Sequence, residues 1–123
     1  MVSIMFKSIS IILFVAILVS ACATENSPKK TIVTGHGFEK GSEWCNDFNL
    51  TEQEAQTFLE DAKELTSAEY HNEYEHIGCY VKGSTRYKNA SCDFTIWAGA
   101  TAELQCGDKE YLLGCSDCEF NSP

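Results

Sequence analysis

Apolar and polar positions alternate with a period of two between residues 92 and 98. Cys92, Phe94, Ile96 and Ala98 fall on one face, and Asp93, Thr95 and Trp97 on the other, which is the pattern of a half-buried strand. Residues 101–106 repeat it, with Ala102, Leu104 and Cys106 set against Thr101, Glu103 and Gln105. A third run, 110–114, leads into Cys115 and Cys118. Gly99-Ala100 and Gly107-Asp108 separate the runs and supply residues that tolerate positive φ, so consecutive runs are expected to fold back as hairpins. Residues 79–118 thus predict a disulfide-laced antiparallel sheet.

Upstream the period changes. Thr51 and Glu54 have the spacing of a capping box, and Glu52 and Glu54 suit the positive end of a helix. Ala55, Phe58, Leu59, Ala62 and Leu65 then recur at helical spacing, with Glu60, Asp61, Lys63 and Glu64 between them. Such an apolar stripe needs a surface to cover, and a face of the sheet is the large one on offer. The expected fold class is therefore α+β: one amphipathic helix packed on a small antiparallel disulfide-bonded β-sheet.

The N-terminal pattern is of another kind. Lys7 precedes an apolar run over residues 9–19 broken by Ser10, shorter than the roughly 20 apolar residues of a membrane-spanning helix and suited to a secretory signal. Val19-Ser20-Ala21-Cys22 resembles the bacterial lipobox. That resemblance implies removal of residues 1–21, lipidation of Cys22 and a partner in the lipid bilayer. Ala23 after the cysteine, rather than Asp, implies the outer membrane facing the periplasm. Ala21-Cys22-Ala23 also fits ordinary cleavage to a soluble secreted product. Residues 22–42, polar and containing Pro28, Gly35, Gly37 and Gly41, are expected to be a flexible tether in which residues 31–34 form at most a short edge strand. Residues 43–123 are expected to be a single domain.

Either cleavage removes Cys22 from the thiol pool and leaves six of the seven cysteines: Cys45, Cys79, Cys92, Cys106, Cys115 and Cys118. An even set in a short exported domain predicts a disulfide framework. Cys79 with Cys92 is the favoured pair, since each opens a strand-like run. The mature chain is acidic as well. Without Lys7, eight basic residues stand against 18 acidic ones, about −10 in net charge, which argues against nucleic acid and for solubility or a basic partner.

Candidate chemistry is sparse. His71 and His76 lie among carboxylates, but five residues apart they share no face of a helix or strand, so a metal site there would need a loop, and a polar connection is the expected reading. Cys115-Ser116-Asp117-Cys118 has redox spacing but follows a strand instead of opening a helix, so a structural bridge is expected. There is no glycine-rich phosphate loop, metalloprotease helix or nucleophile elbow, and neither an enzyme nor a cofactor is expected.

The layout from Trp44 to Cys118 resembles small uncharacterised exported proteins of proteobacteria, which implies no activity. Gly83-Ser84-Thr85-Arg86-Tyr87 and Gly99-Ala100-Thr101-Ala102-Glu103-Leu104 are similar to motifs of membrane-bound lysozyme inhibitors. That resemblance implies a serine and a lysine entering the lysozyme cleft. Ser84 matches the serine, Ala98 stands where the lysine belongs, and the family lacks a long helix. Ser84, Arg86 and Tyr87, read as a polar segment joining two strands, are the expected partner-binding residues. The leading expectation is a lipid-anchored binding module, an inhibitor or immunity protein against a basic periplasmic hydrolase or toxin. The alternatives are a structural or assembly lipoprotein of the envelope, or a thiol-disulfide protein.

Overall fold

The computed structural model describes residues 30–120, so the expected signal segment and lipidation site, Cys22, lie outside the described residues. Six strands form one antiparallel sheet: β1 (Thr31–Phe38), β2 (Lys63–Glu64), β3 (Cys79–Tyr87), β4 (Ala90–Trp97), β5 (Thr101–Cys106) and β6 (Lys109–Gly114), in the order β1-β3-β4-β5-β6-β2. Among the described residues two α-helices, α1 (Glu52–Asp61) and α2 (Ser67–Asn72), and a 3-10 turn at Glu43–Cys45 accompany the sheet. The α+β class expected from the patterning is the one observed. Among the described residues no helix is long and apolar enough to cross a membrane.

Alternation sets the two faces of the sheet. Val81, Phe94, Ile96, Ala102, Leu104 and Leu113 are all buried and meet Ala55, Phe58 and Leu59 of α1 in one core, the inner side. The capping box forms as the spacing predicts: the Glu54 amide donates to the Thr51 hydroxyl at 3.1 Å, and the Thr51 amide to the Glu54 carboxylate at 2.9 Å. The helix is shorter than its apolar periodicity suggests. After the Ala62 amide donates to the Phe58 carbonyl, the chain turns extended. The Leu65 amide then donates to the Leu112 carbonyl, so β6 replaces the last helical turn as hydrogen-bond partner.

The expected tether is partly sheet. Residues 31–38 pair with β3 along their whole length, with a register shift between Val33 and Gly35 that leaves Thr34 unpaired. Glycines there do not imply a linker, because the edge strand needs little side-chain volume where it crosses β3. A Cβ at Gly37 would press on the Tyr80 ring, and one at Gly83 would run into the Ile32 carbonyl. Glu52 of α1 accepts the Val33 amide at 3.1 Å, which occupies a polar group on an otherwise open edge. At the other edge, β2 is two residues long.

All six cysteines are bridged, but not as Cys79 with Cys92. The pairs are Cys45–Cys79, Cys92–Cys106 and Cys115–Cys118. In an antiparallel hairpin the two strand starts lie at opposite ends. Cys92 is opposite Thr85, six positions along β3 from Cys79 and so roughly 20 Å away. Cys92 instead meets Cys106, one step beyond the Asp93–Gln105 pair of β4 and β5. Cys79 reaches the 3-10 turn and fastens it to the sheet.

Two turns obey the expected rule and one departs from it. Gly107 has φ 65° as the first of two loop residues, as a type II′ hairpin asks, and Lys88 and Asn89 both have positive φ, as type I′ asks. In the β4–β5 turn, however, Ala100 takes φ 66°. Gly99 serves there by having no side chain, since a Cβ on it would strike the Glu75 carbonyl.

Candidate functional site

The outer face of the sheet, away from α1, is largely open. Along β3 it presents Tyr80, Lys82, Ser84 and Arg86; β4 adds Asp93, Thr95 and Trp97, and β5 adds Glu103 and Gln105. Ser84 and Arg86 thus lie within β3 and not in a connecting segment; the connection is Lys88-Asn89. Gly83 does not end the strand, because its missing side chain is what lets β1 approach. The period of two also separates the expected trio. Tyr87 points to the inner side and stacks edge-on against Tyr111 at 5.1 Å, so it shares no surface with Ser84 and Arg86. Arg86 lines a small hollow of about 300 Å³ with Lys30, Lys88 and Asn89, and Lys88 is held by Glu64 at 2.9 Å.

The same outer face carries a better-built hollow at its other end. The chain between Leu65 and Cys79 crosses it. Thr66 and Glu69 form a second capping box, at 2.9 and 3.1 Å, that starts α2, within what the sequence suggests is a polar connection. The Thr66-Ser67-Ala68-Glu69 signal has the same form as that at Thr51, and is readable without the structure. Hydrogen bonding to the Thr66 backbone and hydroxyl holds the Glu69 carboxyl below its usual range. The chain can lie flat here because Gly114 lacks a Cβ, which would collide with Leu65 and Tyr74.

Between this segment and β4–β5 lies a groove of about 380 Å³ lined by Glu39, Tyr70, His71, Tyr74, Glu75, His76, Trp97, Thr101 and Glu103. Trp97 is its fixed centre. The indole N–H donates to the Glu103 carboxylate at 3.0 Å, and the ring is flanked by Tyr80 at 5.2 Å and His76 at 4.9 Å. His76 in turn lies 3.1 Å from Glu39. Burial raises the Tyr70 phenol above its ordinary pKa, against the effect of a hydrogen bond with Thr101, and the Glu103, Glu110 and Glu39 carboxylates push it the same way as burial. At neutral pH the phenol therefore keeps its proton and can donate.

Ring faces beside carboxylates suit an ammonium or guanidinium group, which takes both cation–π and charge-assisted contacts. His71 and His76 both line the groove, yet among the described residues no group of three or more His, Cys, Asp or Glu side chains is placed to hold a metal ion. The Cys115–Cys118 bridge follows β6. The Cys115 amide donates to the Ala100 carbonyl at 3.0 Å, so the bridge staples the sheet end and opens no helix. Sequence reasoning singled out the 70–76 segment by composition, but missed Trp97 and Glu103. Both sit at polar positions of alternating strands, where nothing in the pattern distinguishes a groove wall from a solvated surface. No protein-family model, curated protein or solved structure matches this chain.

Proposed function

We propose that this protein is a non-enzymatic binding module, lipid-anchored through Cys22 at the periplasmic side of the outer membrane, whose outer sheet face takes a basic envelope protein. A cell-wall hydrolase or toxin is the most concrete partner. The observation that carries the reading is the Trp97 groove, which aromatic rings and the Glu39, Glu75 and Glu103 side chains line together. The formal charge of −9 extends that local field and favours encounter with a cationic surface. A sheet stapled by three disulfides loses little freedom on binding.

Calorimetric titration against a cationic lysozyme at low and high salt tests this. Glu75→Lys is expected to weaken binding at least tenfold, about 1.4 kcal/mol, and raised salt to weaken it further. Affinity insensitive to both would remove the groove from the interface. If Ser84→Ala with Arg86→Ala weakens binding while Glu75→Lys does not, the contact belongs at the other end of the same face. The anchor has its own test. Cys22→Ser is expected to abolish lipid labelling and release the protein from membranes, and full membrane retention of that variant would overturn the lipoprotein reading.

A further inference from the structure

At the end of the sheet beside the Cys45–Cys79 bridge lies a second cavity, of about 470 Å³, within the size range of small-ligand sites. Its walls include Trp44, Asp47, Phe48, Asn49, Ile77 and Phe120. Trp44 is 73% exposed, against 44% and 43% for Ile32 and Phe38, the other exposed large apolar residues among those described. This exposure is not that of a loose terminus. Trp44 sits in the 3-10 turn immediately before Cys45, whose bridge to Cys79 fastens the turn to the sheet. The Ser42 carbonyl accepts the Cys45 amide at 3.2 Å. Among the described residues the indole stacks on no other ring. Phe48 and Phe120, which line the same cavity, pack edge-to-face at 5.3 Å.

The polar groups here are planar. The Asn49 Oδ1 accepts the Leu50 amide at 2.9 Å, which orients the carboxamide and leaves its NH₂ group as a donor. Asp47 lines the same cavity and has no hydrogen bond or ion pair among the described residues. An unstacked indole on an anchored turn, lining one cavity with a planar donor and a planar acceptor, matches a ligand with an apolar flat face and a rim of hydroxyls. The one carboxylate disfavours an anionic ligand and is too little to select a strongly cationic one.

We propose that this cavity is a saccharide site, which takes a neutral sugar ring against Trp44 with its hydroxyls on Asp47 and Asn49. It is separate from the Trp97 groove, and does not depend on what that groove binds. The chain's two tryptophans make the test direct. In Trp97→Phe, Trp44 is the remaining indole, and titration with the β-1,4-linked trimer of N-acetylglucosamine is expected to change its emission saturably. Saturation-transfer NMR on the unaltered protein should show the trimer's ring protons receiving magnetisation. Trp44→Ala should abolish that transfer, and Asn49→Ala weaken binding at least tenfold, with unchanged melting temperatures. Absence of transfer to the trimer at about 10 mM, tenfold above a Kd of about 1 mM, would overturn the proposal. So would transfer that persists in Trp44→Ala. A response to aromatic peptides in place of the sugar would also overturn it.

Discussion

Replacing Cys45 and Cys79 together by alanine is expected to destabilise the domain more than removing either other bridge. The pair closes a loop with a sequence separation of 34, against 14 for Cys92–Cys106 and 3 for Cys115–Cys118. Chain-entropy reasoning assigns these loops about 4, 3 and 1.6 kcal/mol respectively. The native state points the same way, because Cys79 is fully buried and its bridge fastens the segment ahead of α1 to β3. Urea unfolding of the three double variants should give midpoints in that order. Reduction of all three bridges should remove most of a small domain's stability of about 5–15 kcal/mol. A Cys115/Cys118 variant less stable than the Cys45/Cys79 variant would contradict the ordering. It would assign the C-terminal staple a structural role its short loop does not explain.

Phe58→Ala is the second large expected effect. Phe58 is 3% exposed and lies in the core between α1 and the inner face, with its ring 5.3 Å from that of Phe120. Truncation removes the buried ring and leaves a cavity that neighbours on a disulfide-bonded sheet cannot close, which costs about 3–5 kcal/mol. The urea midpoint should fall with the slope unchanged, the mark of lost stability without altered compactness. An unchanged midpoint would mean that the helix contributes little to the core. Loss of Phe58 also frees Phe120, a wall of the Trp44 cavity, so this variant is unsuited to testing ligand binding there.

What could be read from the chain was whatever is local. Period-two alternation located β4, β5 and β6 to within about two residues, and the Thr51–Glu54 spacing identified the start of α1. What escaped was long-range. The partner of Cys79 depends on which end of β3 faces which end of β4, and alternation within one strand carries no such direction. β1 was obscured because its glycines serve close approach to β3, a reason that lies 43 or more residues away in Tyr80 and Gly83. Tyr87 was grouped with Ser84 and Arg86 because the segment was read as a loop, in which facing is undefined; as a strand it divides by parity. The groove has the same cause. Tyr70, Trp97 and Glu103 come from three elements, and pairing Trp97 with Thr101 across the β4–β5 turn is what brings them together.

The direction of β1 determines how the domain is held. Its first residue, Thr31, lies against Thr85 near the Lys88-Asn89 turn, and its last, Phe38, lies against Cys79. Eight strand residues separate these ends by roughly 25 Å. Whatever precedes Lys30 therefore grips the molecule by one pole, and the Cys45–Cys79 bridge with Trp44 sits at the other. Any attachment made at Lys30 would leave the Trp44 end of the sheet, some eight strand residues away, clear of it.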